Sequence, residues 1–373
     1  MREPSGALSV VHVVSAMRSG DGELWGKERV VAMLMRAQRE SGDVVPRLLT
    51  FGPCALGEVL SAQGFRVQAL DLFDETIPVR ALLALRRNLA REAPSIVHTH
   101  GYKANIVARL ARATGCPMRG LISTCHGWVD ETTRTRLYNR IDRASAPLSD
   151  VVTVTDSGML SYIPKRAHPQ YVANGIDERA PITRAERLAA RAKFGFAADR
   201  FVVGTLGRVE SAKGILDVLE AARRTAGLPI QWAIAGSGPL ERKIRESGLP
   251  NVTSLGYVAE SHRFLDAIDV YLQASHAEGL SLSLLEAMRS GLPIVATQVG
   301  STEQAVRSMS EAMLVPPKDI IGIVTAVRRL MDDRDLAAEL AAAARQRFET
   351  AFNVRRQHEA FLEIYASCDR MRA

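Results

Sequence analysis

What the chain has little of narrows its class first. Its 373 residues hold four cysteines, Cys54, Cys116, Cys125 and Cys368, with no paired spacing. That scatter argues against a zinc knuckle or a disulfide framework and fits a reducing cytoplasm. No stretch approaches the roughly 20 apolar residues needed to cross a bilayer. The opening segment has one Arg followed at once by Glu3 and Pro4, and its apolar run contains His12 and no small-residue cleavage site. It is therefore expected to form a first buried strand, not a secretory leader. Low-complexity segments and short repeats are absent too, which excludes solenoids and disordered linkers. What remains is 47% hydrophobic and 24% charged, ample for two domains of ordinary size.

Formal charge is +7, and the excess is mostly N-terminal: residues 1–180 carry 23 Lys/Arg against 18 Asp/Glu, the remainder 25 against 23. Arg80, Arg86, Arg87 and Arg91 fall along one predicted helix, and Arg134, Arg136, Arg140 and Arg143 along another. Such arrays suit an anionic membrane surface or a phosphorylated acceptor, as well as a plain solvated face. Nothing in the pattern suggests a nucleic-acid partner.

Short β-rich runs alternate with helical segments. Residues 8–15, 44–50, 66–70, 96–98, 121–125 and 151–154 read as strands of a parallel sheet covered on both faces. After a helix at 183–194 the rhythm restarts, with strands at 201–206, 231–235, 252–255, 270–273, 294–297 and 312–315. The expectation is two α/β domains of one class, divided near residue 180: 1–180, 181–353, and a C-terminal helix at 354–373. In such sheets ligands bind beyond the carboxyl ends of the strands, so the chemistry should lie there.

One constellation stands out in the second half. The strand 270–273 runs into a loop bearing Glu278, Gly279, Leu280 and Ser281, and a helix bearing Glu286. Free amides near Ser281 and Ser283 at a positive helix end suit a diphosphate. An acidic first turn that merely complements the helix dipole is the plainer reading. Another strand exit supplies Gly207, Arg208 and Lys213, placing two cations near the same anion site. A third supplies Gly236 and Gly238, with Glu241 where a dinucleotide fingerprint would have its third glycine. In the first half, His98, His100 and His126 lie in or after strands; His98 suits the core, His100 either core or cleft, and His126, followed by Gly127, the cleft.

Together these motifs resemble the GT-B-fold retaining glycosyltransferases of family 4 (glycosyl transferases group 1), across nearly the whole chain. The family's Glu-x7-Glu corresponds to Glu278 and Glu286, its Gly-Arg and Lys-Gly pieces to Gly207-Arg208 and Lys213-Gly214, and its Asn-Gly-Ile-Asp segment to residues 174–177. The resemblance implies two facing Rossmann-like doubly wound domains, the first for acceptor and the second for donor, with the C-terminal helix crossing back to the first. It implies that Glu278 and the amides near Gly279 hold the donor sugar, Glu286 the ribose, Arg208 and Lys213 the diphosphate, and Gly236, Gly238, Tyr257 and Val258 the base. His126 would lie near the reacting sugar. The glycine-rich first loop, usually Gly-Gly-x-Glu, has Trp25 at its first glycine while Gly26 and Glu28 keep register. Gly26 is then expected at the donor, and Trp25, His100 and Lys103 at the acceptor.

The activity expected is transfer of a hexose-type sugar from a UDP- or GDP-sugar to a saccharide or lipid-linked acceptor hydroxyl, with peripheral association at the inner face of an anionic membrane. A cation about 4 Å from the leaving phosphate gains roughly 4 kcal/mol at an effective dielectric near 20, so Arg208 and Lys213 are expected to replace a metal. The lone Asp-x-Asp, Asp333-Arg-Asp335, is expected to cap a helix. The rival readings are a nucleotide-sugar epimerase of similar build and a two-lobed sugar-binding protein.

Overall fold

The computed structural model describes residues 7–15, 24, 26–70, 72, 78–127 and 132–370. The chain divides into two units, Met1–Gly175 with Val354–Ala373, and Ile176–Asn353. The division precedes residue 180 because the intervening segment is tied into the second unit. Ile176 bridges Asn353, and the Arg179 guanidinium forms a double hydrogen bond with Asp266 at 2.7 Å for each arm.

The first unit is built on seven parallel strands: β1 (Leu8–Val14), β2 (Val44–Thr50), β3 (Arg66–Ala69), β4 (Ile96–His100), β5 (Gly120–Cys125), β6 (Val151–Val154) and β7 (Pro169–Tyr171). Their order is β3-β2-β1-β4-β5-β6-β7. The central strands are buried on both faces, which is why they read as near-continuous Val, Leu and Ile runs. Sequence reasoning missed β7, a three-residue strand opening on Pro169. Proline is tolerated there because β7 is the sheet edge. The helix Val354–Arg370 buries Phe361, Ile364, Tyr365 and Cys368 against Val10, Leu34, Ile96 and Ile122.

The second unit holds β8 (Phe201–Leu206), β9 (Ile230–Ala235), β10 (Val252–Gly256), β11 (Val270–Gln273), β12 (Ile294–Thr297) and β13 (Met313–Val315), all parallel, in the order β10-β9-β8-β11-β12-β13. Its entry helix, Arg184–Lys193, starts with a capping box: Thr183 Oγ1 accepts from the Glu186 amide, and the Glu186 carboxylate accepts from the Thr183 amide. Asp333 caps Arg334–Ala351 by accepting from the Leu336 amide at 3.0 Å, the role expected of that Asp-x-Asp.

Strand order reverses between β1 and β4 in one unit and between β8 and β11 in the other. Connections leave such a pair toward opposite faces, so the carboxyl ends of these strands stay open to a ligand.

Candidate active site

In the second unit the residues after β8 and β11 converge. Lys213 Nζ donates to Glu278 Oε1 at 2.6 Å, and Ser275 Oγ donates to the same oxygen at 2.8 Å. The Glu278 side chain is only 9% exposed, so it is oriented before any ligand arrives. Two glycines allow this fit. Gly214, at φ +67°, brings the Lys213 turn against β11's exit, where a Cβ would lie 1.9 Å from the Ala274 carbonyl. At Gly300, φ +51°, a Cβ would lie 1.7 Å from the Glu278 carbonyl. Gly207, Arg208, Lys213, Ser275, Glu278 and Ser283 line one depression. Arg208 is half exposed and 3.1 Å from Glu210 Oε2, so its head can turn to an anion at little cost. Ser281 starts the helix Leu282–Arg289 without a side-chain cap, leaving first-turn amides and the positive helix end at the same place. Cations and open amides around an oriented carboxylate suit a ligand joining a polar ring to a diphosphate.

Glu286 is 1% exposed and lies apart from that depression's lining. Its Oε1 accepts from Ser261 Oγ at 3.1 Å, at the start of the helix Ser261–Ala267 that follows Tyr257 and Val258. The β9 and β10 exits are joined by Gly236 N donating to Gly256 O at 2.6 Å, and Tyr257 stands half exposed beside them. Glu241 occupies the fingerprint's glycine position for a local reason: its carboxylate accepts from the Gly238 amide at 2.8 Å.

In the first unit, His126 follows β5 and its Nε2 meets His100 Nδ1 at 3.2 Å. His100 is the last residue of β4, which runs two residues further than the pattern suggested, and is buried with both ring nitrogens engaged. Burial, helped by the nearby Lys27 charge, pushes the His126 imidazole down to about 3, so it is neutral at physiological pH. Lys27 Nζ donates to the Ser15 carbonyl at 2.9 Å, and burial lowers its affinity for a proton against the opposing pull of Glu28. Gly26 opens the helix Gly26–Ser41, and Lys103 lies in the first turn of Tyr102–Ala113, partly buried. Trp25 lies outside the described residues.

Both units match one enzyme class along their length. Residues 186–347 match the family described as glycosyl transferases group 1, and residues 26–170 the glycosyl transferase 4-like domain. The chain belongs to the group 1 glycosyltransferases. This transferase is similar to a protein of Bacillus subtilis named glycosyltransferase EpsF, 29% identical over 314 residues, 77% of this chain and 78% of that one. It is also similar to the UDP-Gal:alpha-D-GlcNAc-diphosphoundecaprenol alpha-1,3-galactosyltransferase of Escherichia coli, 24% identical over 309 residues, 77% and 79% of the two chains. Among solved structures, Anabaena HepE in complex with UDP shares the GT-B fold, with a TM-score of 0.80 and 18% identity across 96% of this chain and 100% of that one.

Sequence reasoning had passed over several polar groups of the transferase. Ser275, 2% exposed, fixes Glu278. His12, Gln38 and Tyr365 form a buried hydrogen-bonded set with His98 and His100. The spacing His98-x-His100 on one strand face was a signal, but His12 becomes its neighbour only through the pairing of β1 with β4, where His12 sits opposite His98.

Proposed function

We propose that this glycosyltransferase moves a hexose-type sugar from a uridine or guanosine diphosphate to an acceptor hydroxyl with retention at the anomeric carbon. One arrangement carries the proposal: Lys213 and Ser275 converging on Glu278 beside Arg208, at the carboxyl ends of β8 and β11. In the reaction the bond from the anomeric carbon to the diphosphate oxygen breaks, with its electron pair leaving on the phosphate. Arg208 and Lys213 meet that charge where a divalent metal would otherwise serve, and the open amides of Leu282–Arg289 add to it. The acceptor oxygen bonds the same face of the carbon while its proton passes to the departing phosphate. Glu278 holds the sugar, with Gly279, Leu280 and Ser281 beside it, and Glu286 takes the ribose. Gly207, Gly236, Gly238, Tyr257 and Val258 flank the phosphate and base. His126 contacts a sugar hydroxyl; Trp25, His100 and Lys103 belong to the acceptor side.

We place the acceptor among saccharides or lipid-linked saccharides at an anionic surface. The helix Thr133–Ser145 supports this, exposing Arg134, Arg136 and Arg140 beside Leu137 (57% exposed) and Ile141 (39%). Basic and apolar groups on one helix face suit a headgroup layer. The deciding experiment is NMR of product formed from an α-linked nucleotide sugar. An α-linked product is expected, and a β-linked product overturns the retaining assignment. Epimerised free sugar from donor alone would instead mark a nucleotide-sugar epimerase.

A further inference from the structure

His126 ends a buried hydrogen-bonded chain that the transfer chemistry alone does not require. Gln38 Nε2 donates to Tyr365 Oη at 3.1 Å, and Gln38 Oε1 lies 2.8 Å from His12 Nε2. His12 Nδ1 then lies 2.9 Å from His100 Nε2, and His100 Nδ1 lies 3.2 Å from His126 Nε2. Gln38, His12, Tyr365 and His100 are each at most 1% exposed, so water does not substitute for any link.

A neutral imidazole has one N–H and one lone pair, so the direction of the first bond dictates every later one. Burial keeps these rings neutral: it holds His12 down to about 4 despite the Gln38 bond, and His98 and His100 well below their ordinary value. Gln38 Oε1 is a carbonyl and accepts, so His12 Nε2 carries the proton and His12 Nδ1 accepts. His100 Nε2 must then donate and His100 Nδ1 accept, which leaves the proton of His126 on Nε2 and a lone pair on Nδ1.

The bonds on the amide's other side follow the same direction. Tyr365 Oη, receiving the Gln38 N–H, passes its own proton to His98 Nδ1 at 2.7 Å. His98 Nε2–H donates to Thr124 Oγ1 at 2.7 Å, and that hydroxyl reaches Thr153 Oγ1 at 2.6 Å. Turning the Gln38 amide over would reverse every bond and present an N–H at His126 instead. His12, His98 and His100 have ring nitrogens within 4.8 Å of one another, close enough for a metal. Every one of those nitrogens is already engaged, so a metal would have to break the chain.

We propose that Gln38, His12 and His100 are positioning residues that lock His126 in its Nε2–H tautomer, leaving Nδ1 to accept a hydrogen bond from a sugar hydroxyl. The sugar contact rests on the glycosyltransfer reading above; the tautomer does not. The test is a long-range proton–nitrogen correlation on full-length protein carrying 15N-histidine, at neutral pH and without substrate, with His126 assigned from His126→Gln. The expected result is a single Nε2–H pattern for His12, His100 and His126. An Nδ1–H pattern, or an averaged signal, at His126 overturns the proposal.

Gln38→Leu removes the anchoring carbonyl and should turn the His126 signal into a tautomer average while His262 and His276 of the second unit stay unchanged. An unaltered His126 pattern in that variant also overturns it. If Gln38→Leu does not fold, the wild-type spectrum still decides. Because tautomers are read without donor, failed sugar transfer leaves this result standing, and a failed tautomer assignment leaves the transfer reading intact.

Discussion

Replacing Lys213 by Met removes one of two cations assigned to the leaving diphosphate while keeping the side chain's apolar stem. A unit charge about 4 Å from a phosphate is worth roughly 4 kcal/mol at an effective dielectric of about 20. Only the part that grows as the anomeric bond breaks speeds the reaction. Lys213 is also already committed in part to Glu278, at 2.6 Å. Removing one preorganised donor to a developing oxyanion costs about 2.7–4 kcal/mol, or 100- to 1000-fold in kcat, and the standing ion pair points to the lower end. The fold should suffer less. Glu278 keeps its Ser275 bond, so losing its cation costs about 1–3 kcal/mol. That lowers Tm by roughly 2–10 °C for a unit of this size. The assay is nucleoside diphosphate release at saturating donor and acceptor, run beside thermal melts of Lys213→Met and Lys213→Arg. Arginine keeps the charge and should stay within about tenfold of wild type. A folded Lys213→Met enzyme within tenfold of wild-type kcat would refute the assignment.

The two carboxylates should separate kinetically. Glu278→Gln is expected to lower kcat by about 100-fold with little change in donor KM, while Glu286→Gln should raise donor KM by about tenfold or more, the worth of a hydrogen bond to a charged group; the reverse split would exchange their roles. Stability should fall in acid, because the depressed histidines resist a proton that the unfolded chain accepts: the loss begins as pH drops below 6.5 and continues toward about 4 for His12 and about 3 for His126. With His12, His98, His100 and His126 each withholding a proton, about 5 kcal/mol should be lost by pH 5.5, measurable by urea melts at pH 7.5 and 5.5. Flotation with anionic liposomes at low salt should retain the wild-type chain and lose about tenfold or more in Arg136→Glu/Arg140→Glu, at about 1 kcal/mol per basic residue near the surface; equal flotation of both proteins would remove the helix Thr133–Ser145 from the membrane proposal.

Much of the fold was legible in the chain because parallel strands buried on both faces leave an unmistakable pattern. β2, β6, β8, β11 and β12 begin and end where their apolar runs do. β4 extended through Thr99 and His100 against the hydrophobic pattern, since those side chains find partners in Asn105, His12 and His126. Three-residue β7 left too short a trace. That Lys213 stands near the Glu278 loop was legible because both follow strands that the switch-point rule makes neighbours; the ion pair between them was not. The burial of Glu286 behind Ser261 was not, and neither was the histidine chain. Its links join residues as far apart as Gln38 and Tyr365, 327 positions, and only the strand order brings them together.

Nucleotide binding beside Arg208 and Lys213 is the most direct consequence of the proposed site. Thermal melts with UDP, GDP and ADP, on wild type and on Arg208→Ala/Lys213→Ala, test that in one experiment. A ligand at 100 times its Kd stabilises by about 2.7 kcal/mol, or roughly 5–10 °C in a unit of this size. UDP or GDP should give that rise in wild type and little or none in the double variant. No rise with any of the three at millimolar concentration, or an equal rise in the double variant, would contradict it.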